Sequence, residues 1–225
     1  PQHKYTATGP YNVTETVTSN NGCSVSTMKT FFVNGSVPVP SFSLANASVC
    51  SGSKIDLTNN STVNPGSVVK VEIYWDYAND PTIKMIDEDP VAGKIYSHTY
   101  PEFGSPATKT ATIKYVVYSG QTCLQSIDKV ITLLATPIIK FDSIGGVCKD
   151  VPAFQITTAS VVNGLTGTGS FSGPGVSASG LFNPAAANVG VNTIRFTYNA
   201  NNGCSNYKDQ AVEVYPVPVA NAGPD

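Results

Sequence analysis

The densest oxygen chemistry in the chain lies in two acidic clusters, Asp76, Asn79 and Asp80, then Asp87, Glu88 and Asp89. Oxygen-rich groups at such spacing are what Ca²⁺ gathers, about six to eight at a time. No Asp-x-Asp-x-Asp-Gly loop accompanies either cluster. A solvated loop is therefore the simpler expectation, with Ca²⁺ at Asp76, Asn79 and Asp80 as the one metal site to test. Asp87 and Asp89 could be imagined as paired carboxylates for glycoside hydrolysis, yet nothing else in the chain outlines a substrate cleft. Trp75 could stack on a sugar ring, but it ends an alternating run, Val71-Glu72-Ile73-Tyr74-Trp75, and is expected as a core aromatic. His3 and His98 each stand two residues before a tyrosine, and neither a Gly-x-Ser-x-Gly motif nor a pair of histidine ligands is present. No constellation of acid, base, nucleophile or metal emerges, so the expectation is a protein that is not an enzyme and has no cofactor.

The elements that must position these residues are read from the cysteines. Ten residues before Cys23, Cys123 and Cys204 stand Val13, Ile113 and Ile194; eight before, Glu15, Tyr115 and Phe196; six before, Val17, Val117 and Tyr198. Eight residues after come Phe31, Ile131 and Val212, and ten after, Val33, Leu133 and Val214. This is period-2 alternation on both sides of a turn marked by Gly22, Gly120 and Gly203, the pattern of a β-hairpin repeated three times without gaps. Only Glu15 interrupts the apolar face. No apolar spacing of helical period runs over three turns, and the chain reads as all-β.

Proline-rich joints follow each hairpin: Val37-Pro38-Val39-Pro40, Thr136-Pro137 and Pro216-Val217-Pro218. Proline lacks an amide donor and favours extended backbone, so these read as short, semi-stiff linkers. The expected divisions are 1–35, the closing hairpin of a truncated unit; 36–135 and 136–215, two β-sandwich domains; and 216–225, the opening of a further repeat. Cys50 and Cys148 share a Val-Cys dipeptide near the start of their units. Pairing within each domain then gives Cys50–Cys123 and Cys148–Cys204, leaves Cys23 unpaired by truncation, and implies an oxidising compartment. The alternative is five free thiols in a cytosolic protein.

Composition narrows the partners. The 225 residues carry a net charge of -2 and only 12% charged residues, with Arg195 the single arginine, so there is no basic footprint for nucleic acid. Apolar runs such as Val130–Ala135 are too short to insert in a membrane. Sequons at Asn12, Asn34, Asn46, Asn59 and Asn60 read as coincidence in a Ser/Thr/Asn-rich chain.

The opening Pro1-Gln2-His3-Lys4-Tyr5-Thr6-Ala7-Thr8-Gly9-Pro10-Tyr11-Asn12-Val13 resembles the closing half of a PKD (polycystic kidney disease) domain, with its His-x-Tyr and Gly-x-Tyr-x-Val. Ser97-His98-Thr99-Tyr100-Pro101 repeats it, and Tyr74-Trp75-Asp76-Tyr77 is similar to the family's Trp-Asp-Phe strand. Ala78-Asn79-Asp80 stands where the family has Gly-Asp-Gly. The third unit, with Gly169-Ser170-Phe171-Ser172-Gly173-Pro174-Gly175-Val176 and Phe182-Asn183-Pro184, resembles the Ig-like, PKD-related repeats of giant surface proteins of Bacteroidota-type bacteria, among them gliding-motility adhesins and other substrates of type IX secretion.

The resemblance implies tandem immunoglobulin-like (PKD-like) β-sandwiches serving as a non-catalytic stalk, spacer or adhesive segment of a secreted cell-surface protein. Its partners would be other domains of the same long chain, surface polysaccharide or the secretion machinery. The competing expectation is a carbohydrate- or protein-binding accessory module of a secreted hydrolase. Calcium binding by some PKD domains extends the acidic-loop expectation to Asn221 and Asp225. Asp142-Ser143-Ile144 resembles the short O-glycosylation signal of the Bacteroidota, with Ser143 as acceptor.

Overall fold

The computed structural model describes residues 2–5, 9–33, 36–120, 122–221 and 223. Pro1, residues 6–8 of the opening motif, the sequon at Asn34, and Asp225 of the closing segment lie outside the described residues. Chain contacts divide the protein into an N-terminal unit (residues 1–49, 53–99 and 110–132) and a C-terminal unit (residues 50–52, 100–109 and 133–225). Among the described residues there is no α-helix, only a single 3₁₀ turn at Pro184–Ala186.

In the N-terminal unit β1 (Gly9–Thr18) and β2 (Ser24–Val33) form a separate two-stranded sheet. Eight further strands follow: β3 (Phe42–Leu44), β4 (Ser48–Cys50), β5 (Lys54–Asn59), β6 (Lys70–Tyr74), β7 (Met85–Asp87), β8 (Ile95–Thr99), β9 (Thr108–Tyr118) and β10 (Leu124–Leu134). The first two residues of β9, the last two of β10 and the last residue of β4 belong to the other unit. They build one sheet ordered β3-β5-β8 and another ordered β4-β10-β9-β6-β7. Alternation along each strand sends Ile55, Leu57 and Tyr96 from the first sheet, and Val71, Ile73, Ile113, Tyr115, Val117 and Ile131 from the second, into one core. Phe42 of β3 meets Tyr115 of β9 edge to face, ring centroids 5.4 Å apart, so the two sheets face each other as a sandwich.

The C-terminal unit contains β11 (Ile139–Phe141), β12 (Val147–Cys148), β13 (Phe154–Gln155), β14 (Ala159–Val161), β15 (Gly167–Ser172), β16 (Leu181–Phe182), β17 (Gly190–Ala200) and β18 (Ser205–Tyr215). Its main sheet runs β12-β18-β17-β15, with β12 parallel to β18, and the small sheets β11-β14 and β13-β16 complete it. Ile139, Phe141, Ile156, Phe182, Ile194, Phe196, Val212 and Val214 form the core. Hydrophobic burial of this kind, at roughly 25 cal/mol per Å² of apolar area, is what holds so short a set of strands together.

All three expected hairpins form. The Ser19 amide donates to the Cys23 carbonyl at 2.9 Å, Ser119 to Cys123 at 3.0 Å, and Ala200 to Cys204 at 2.8 Å, so each cysteine closes its turn at the same register. Gly22 and Gly203, at φ +85° and +89°, supply the left-handed residue that a three-residue hairpin loop needs. What differs is cover. Ile113, Val117 and Ile131 are buried, as are Ile194 and Val212 with Tyr198 half-buried, whereas Val13, Val17 and Phe31 at the same positions of β1–β2 are about half exposed.

The stretch after β10 is held by hydrogen bonds. Thr136 is buried and its amide donates to the Phe103 carbonyl at 3.2 Å. Asn202, Asn163 and Asn206 donate side-chain amides to the carbonyls of Ala135, Thr136 and Pro137 at 2.9 Å each.

Candidate functional site

Trp75, just past β6, is 6% exposed and lies flat on His98 of the facing sheet, with centroids 4.9 Å and planes 9° apart. The indole ties the two sheets together and does not present a sugar platform. Burial holds the His98 imidazole below its ordinary 6.5, so the ring sits neutral in the core. His3, by contrast, is exposed and packs edge-on against Tyr5 at 4.7 Å.

Asp76, Asn79 and Asp80 are brought together in one tight turn. Asn79 Nδ2 donates to Asp76 Oδ2 at 2.8 Å, and the Thr82 hydroxyl donates to Asp80 Oδ1 at 2.9 Å. The amides of Asn79 and Asp80 both donate to the Asp76 carbonyl, at 3.1 and 2.7 Å. These side chains hold their own loop. Among the described residues no three His, Cys, Asp or Glu side chains gather as a metal-holding group.

The second acidic cluster is pulled apart. Asp87, ending β7, accepts from Lys94 Nζ at 2.7 Å and from the Tyr96 hydroxyl at 2.6 Å. Burial alone would raise its carboxyl. Lys94, Tyr96 and the Asp89 amide outweigh that and hold it below the usual carboxylate range. In return, burial and the Asp87 charge push the Tyr96 hydroxyl well above its ordinary value. A carboxylate so committed to a lysine and a tyrosine is a structural tether rather than half of a hydrolytic pair.

Sequence reading missed Glu72, a carboxylate only 5% exposed on β6. It accepts from Lys84 at 2.9 Å, Lys70 at 3.1 Å and the Tyr74 hydroxyl at 3.2 Å. Burial raises its pKa, and the two ammonium groups more than reverse that. Lys70 also lies 3.9 Å over the Tyr118 ring. The signal was present as Lys70, Glu72 and Tyr74 at period 2, the face opposite Val71, Ile73 and Trp75.

The cysteines require a correction. The bridge joins Cys50 to Cys204, with Cα atoms 5.7 Å apart, and Cys23, Cys123 and Cys148 are free thiols. The expected pairs Cys50–Cys123 and Cys148–Cys204 are geometrically out of reach. Ser51 and Lys149, following the two Val-Cys cysteines, donate to the carbonyls of Leu134 and Tyr215, each eleven residues beyond its hairpin-tip cysteine. Eleven residues of strand span about 35 Å, against the ~5.5 Å that a disulfide allows between Cα atoms. Cys50 belongs with residues 51–52 to the C-terminal unit, which is where its partner lies.

Ser143 stands on an exposed loop after β11 and accepts from the Gly145 amide at 3.2 Å, while its neighbour Asp142 pairs with Lys140 at 2.8 Å. Asn59, at 1% exposure, donates to the Val91 carbonyl and accepts from the Ser61 amide, so this sequon is a core polar anchor. In the C-terminal unit a groove of about 440 Å³ is lined by Glu102, Phe103, Ile138, Asn206, Tyr207 and Lys208 among others. Tyr207, 54% exposed, carries the Arg195 guanidinium 3.8 Å over its ring, and Asp209 holds that guanidinium through two hydrogen bonds of 2.7 and 2.8 Å.

No family model matches the chain. No curated protein matches it either. Among solved structures it is similar to a protein from a study of the promiscuous specificity of carbohydrate-binding modules from the β-sandwich superfamily, at 12% identity and TM-score 0.38, with 73% of this chain and 60% of that one covered. The chain thus spans less than two thirds of that protein. It is also similar to the fibronectin(III)-like modules of Clostridium thermocellum CbhA, at 17% identity and TM-score 0.30, covering 84% of this chain and 99% of that one. Mouse cadherin-23 EC22-24 follows at 13% identity and TM-score 0.34, covering 92% and 74%. These neighbours are β-sandwich modules of Ig-like, fibronectin-like, cadherin-like and carbohydrate-binding kinds, and the fold of this chain rests on the sheets described above.

Proposed function

We propose that the chain is a non-catalytic structural and adhesive segment, a run of Ig-like (PKD-like) repeats from a large secreted bacterial surface protein of the gliding-motility adhesin type. The observation that carries this reading is that the side chains with chemical potential are committed to building the sandwiches. Trp75 and His98 bind the sheets to each other, Asp87 and Glu72 tether lysines, and Asp76 closes its own turn. The hairpin repeated at one register supports a modular array, and the disulfide supports an oxidising, extracellular setting. The test is retention of the oxidised protein on a polysaccharide panel and on whole bacterial cells, with and without Ca²⁺. A spacer role within this reading expects folded protein without specific retention, and saturable retention competed by free sugar would replace it with the glycan-binding accessory module.

One observation favours the accessory-module reading. The groove beside Tyr207 offers an exposed aromatic ring together with amide, carboxylate and ammonium groups, the chemistry that grips a sugar. If glycan retention is found, Tyr207→Ala should lower it at least tenfold. Retention untouched by that substitution would remove the groove from consideration.

A further inference from the structure

The five cysteines occupy only two positions of the repeat. Cys23, Cys123 and Cys204 sit at hairpin tips, each carbonyl accepting from the amide four residues earlier. Cys50 and Cys148 end the short strands β4 and β12, beside β10 and β18. The residue after each donates to an equivalent carbonyl, Ser51 to Leu134 at 2.8 Å and Lys149 to Tyr215 at 2.9 Å. The bridge that forms joins one cysteine of each kind, and it runs from the short strand beside β9–β10 to the tip of the hairpin that comes next in the chain, β17–β18. Cys148 repeats the register of Cys50 and is exposed with a free thiol.

The bonded tip shows what seats it. Asn202 Oδ1 accepts from the Cys204 amide at 3.0 Å, and its Nδ2 donates to the carbonyl of Ala135, the residue after Leu134. Asn20-Asn21-Gly22-Cys23 repeats Asn201-Asn202-Gly203-Cys204 letter for letter, on a turn whose glycine has nearly the same φ. After Tyr215 comes Pro216, whose carbonyl stands in the chain where that of Ala135 stands after Leu134.

We propose that Cys148 is a bonding point for a hairpin-tip cysteine of the Asn-Asn-Gly-Cys type on a further repeat of the same kind, making again the union of Cys50 with Cys204. Two thiols lose two protons and two electrons to form the S–S bond, and a disulfide oxidant such as oxidised glutathione takes them up and becomes two thiols. The inference is independent of the adhesive reading, since it concerns how repeats are joined and not what they bind.

A second copy of the chain supplies the matching tip, Cys23. The protein is equilibrated at high concentration in a reduced/oxidised glutathione buffer, run without reductant, and its cross-linked peptides are mapped by mass spectrometry. The expected result is covalent head-to-tail oligomers linked Cys148 to Cys23, abolished by Cys148→Ser and by Cys23→Ser and unchanged by Cys123→Ser. Asn21→Ala should lower the oligomer yield severalfold while the alkylation rate of Cys23 in the monomer stays the same. Cys148–Cys148, Cys23–Cys23 and Cys148–Cys23 links in random proportion would overturn the proposal. So would preferred pairing of Cys148 with Cys123, or a Cys148 that stays reduced while Cys50–Cys204 is intact.

Discussion

Truncating Trp75 to alanine removes the indole that fills the space between β6 and β8 and leaves His98 facing a cavity. The expected cost is about 3–5 kcal/mol, read as a lower urea midpoint for the N-terminal unit. His98 adds a pH dependence whose sign follows from its lowered pKa. Above 6.5 the ring is neutral in both states and its contribution is complete. As pH falls through 6.5 the unfolded chain takes up the proton first, so stability declines with acidification. His98→Phe should flatten the urea midpoint between pH 7.5 and 5.5, and a slope that survives would assign it elsewhere. Asp87 and Glu72, both held low, add a second loss further down, beginning below their ordinary values of 3.8 and 4.5. Trp75 was legible as a core residue because alternation marks the inward face. Glu72 was not, because nothing local tells an outward carboxylate in water from one covered by Lys70 and Lys84.

Hairpins are the level at which the sequence was most readable. Apolar residues at even offsets from a cysteine name both strands, and a glycine before that cysteine names the turn. The structure returns the same register in β1–β2 and β17–β18, Thr18 opposite Ser24 and Asn199 opposite Ser205. Gly203→Ala forces a side chain into left-handed backbone and should cost about 1–2 kcal/mol, measured by denaturation of the C-terminal unit. An unchanged midpoint would mean that the turn relaxes. The same readable feature misled the cysteine pairing. Sequence proximity suggested one bridge per domain, but strand length puts the tip and the short strand at opposite ends of one hairpin. Register carries that information, and both the parallel pairing of β12 with β18 and the placing of β4 beside β10 are long-range relations that no local pattern announces.

At the scale of the whole molecule, the all-β class followed from period, glycine and proline, whereas the association of residues 50–52 and 100–109 with the C-terminal unit did not. Those segments are tied in by hydrogen bonds from Asn163 to Gly104 and from Ser51 to Phe103, contacts between residues more than fifty positions apart. The Cys50–Cys204 bridge closes a loop of sequence separation 154, which on the chain-entropy account stabilises the fold by up to about 5 kcal/mol. Cys50→Ser should therefore lower the melting temperature measurably, while Cys123→Ser should leave it unchanged; equal effects would argue against the bridge. The bridge also decides how the chain would answer a pull. Tension applied ahead of Cys50 and beyond Cys204 passes through two sulfur atoms, and the residues between them never feel it. Extended at about 3.4 Å each, those residues amount to roughly 500 Å of hidden length. A tether pulled in oxidising buffer should lengthen only by its flanks, and reductant should release the reserve, so thiol exchange would act as a ratchet on reach.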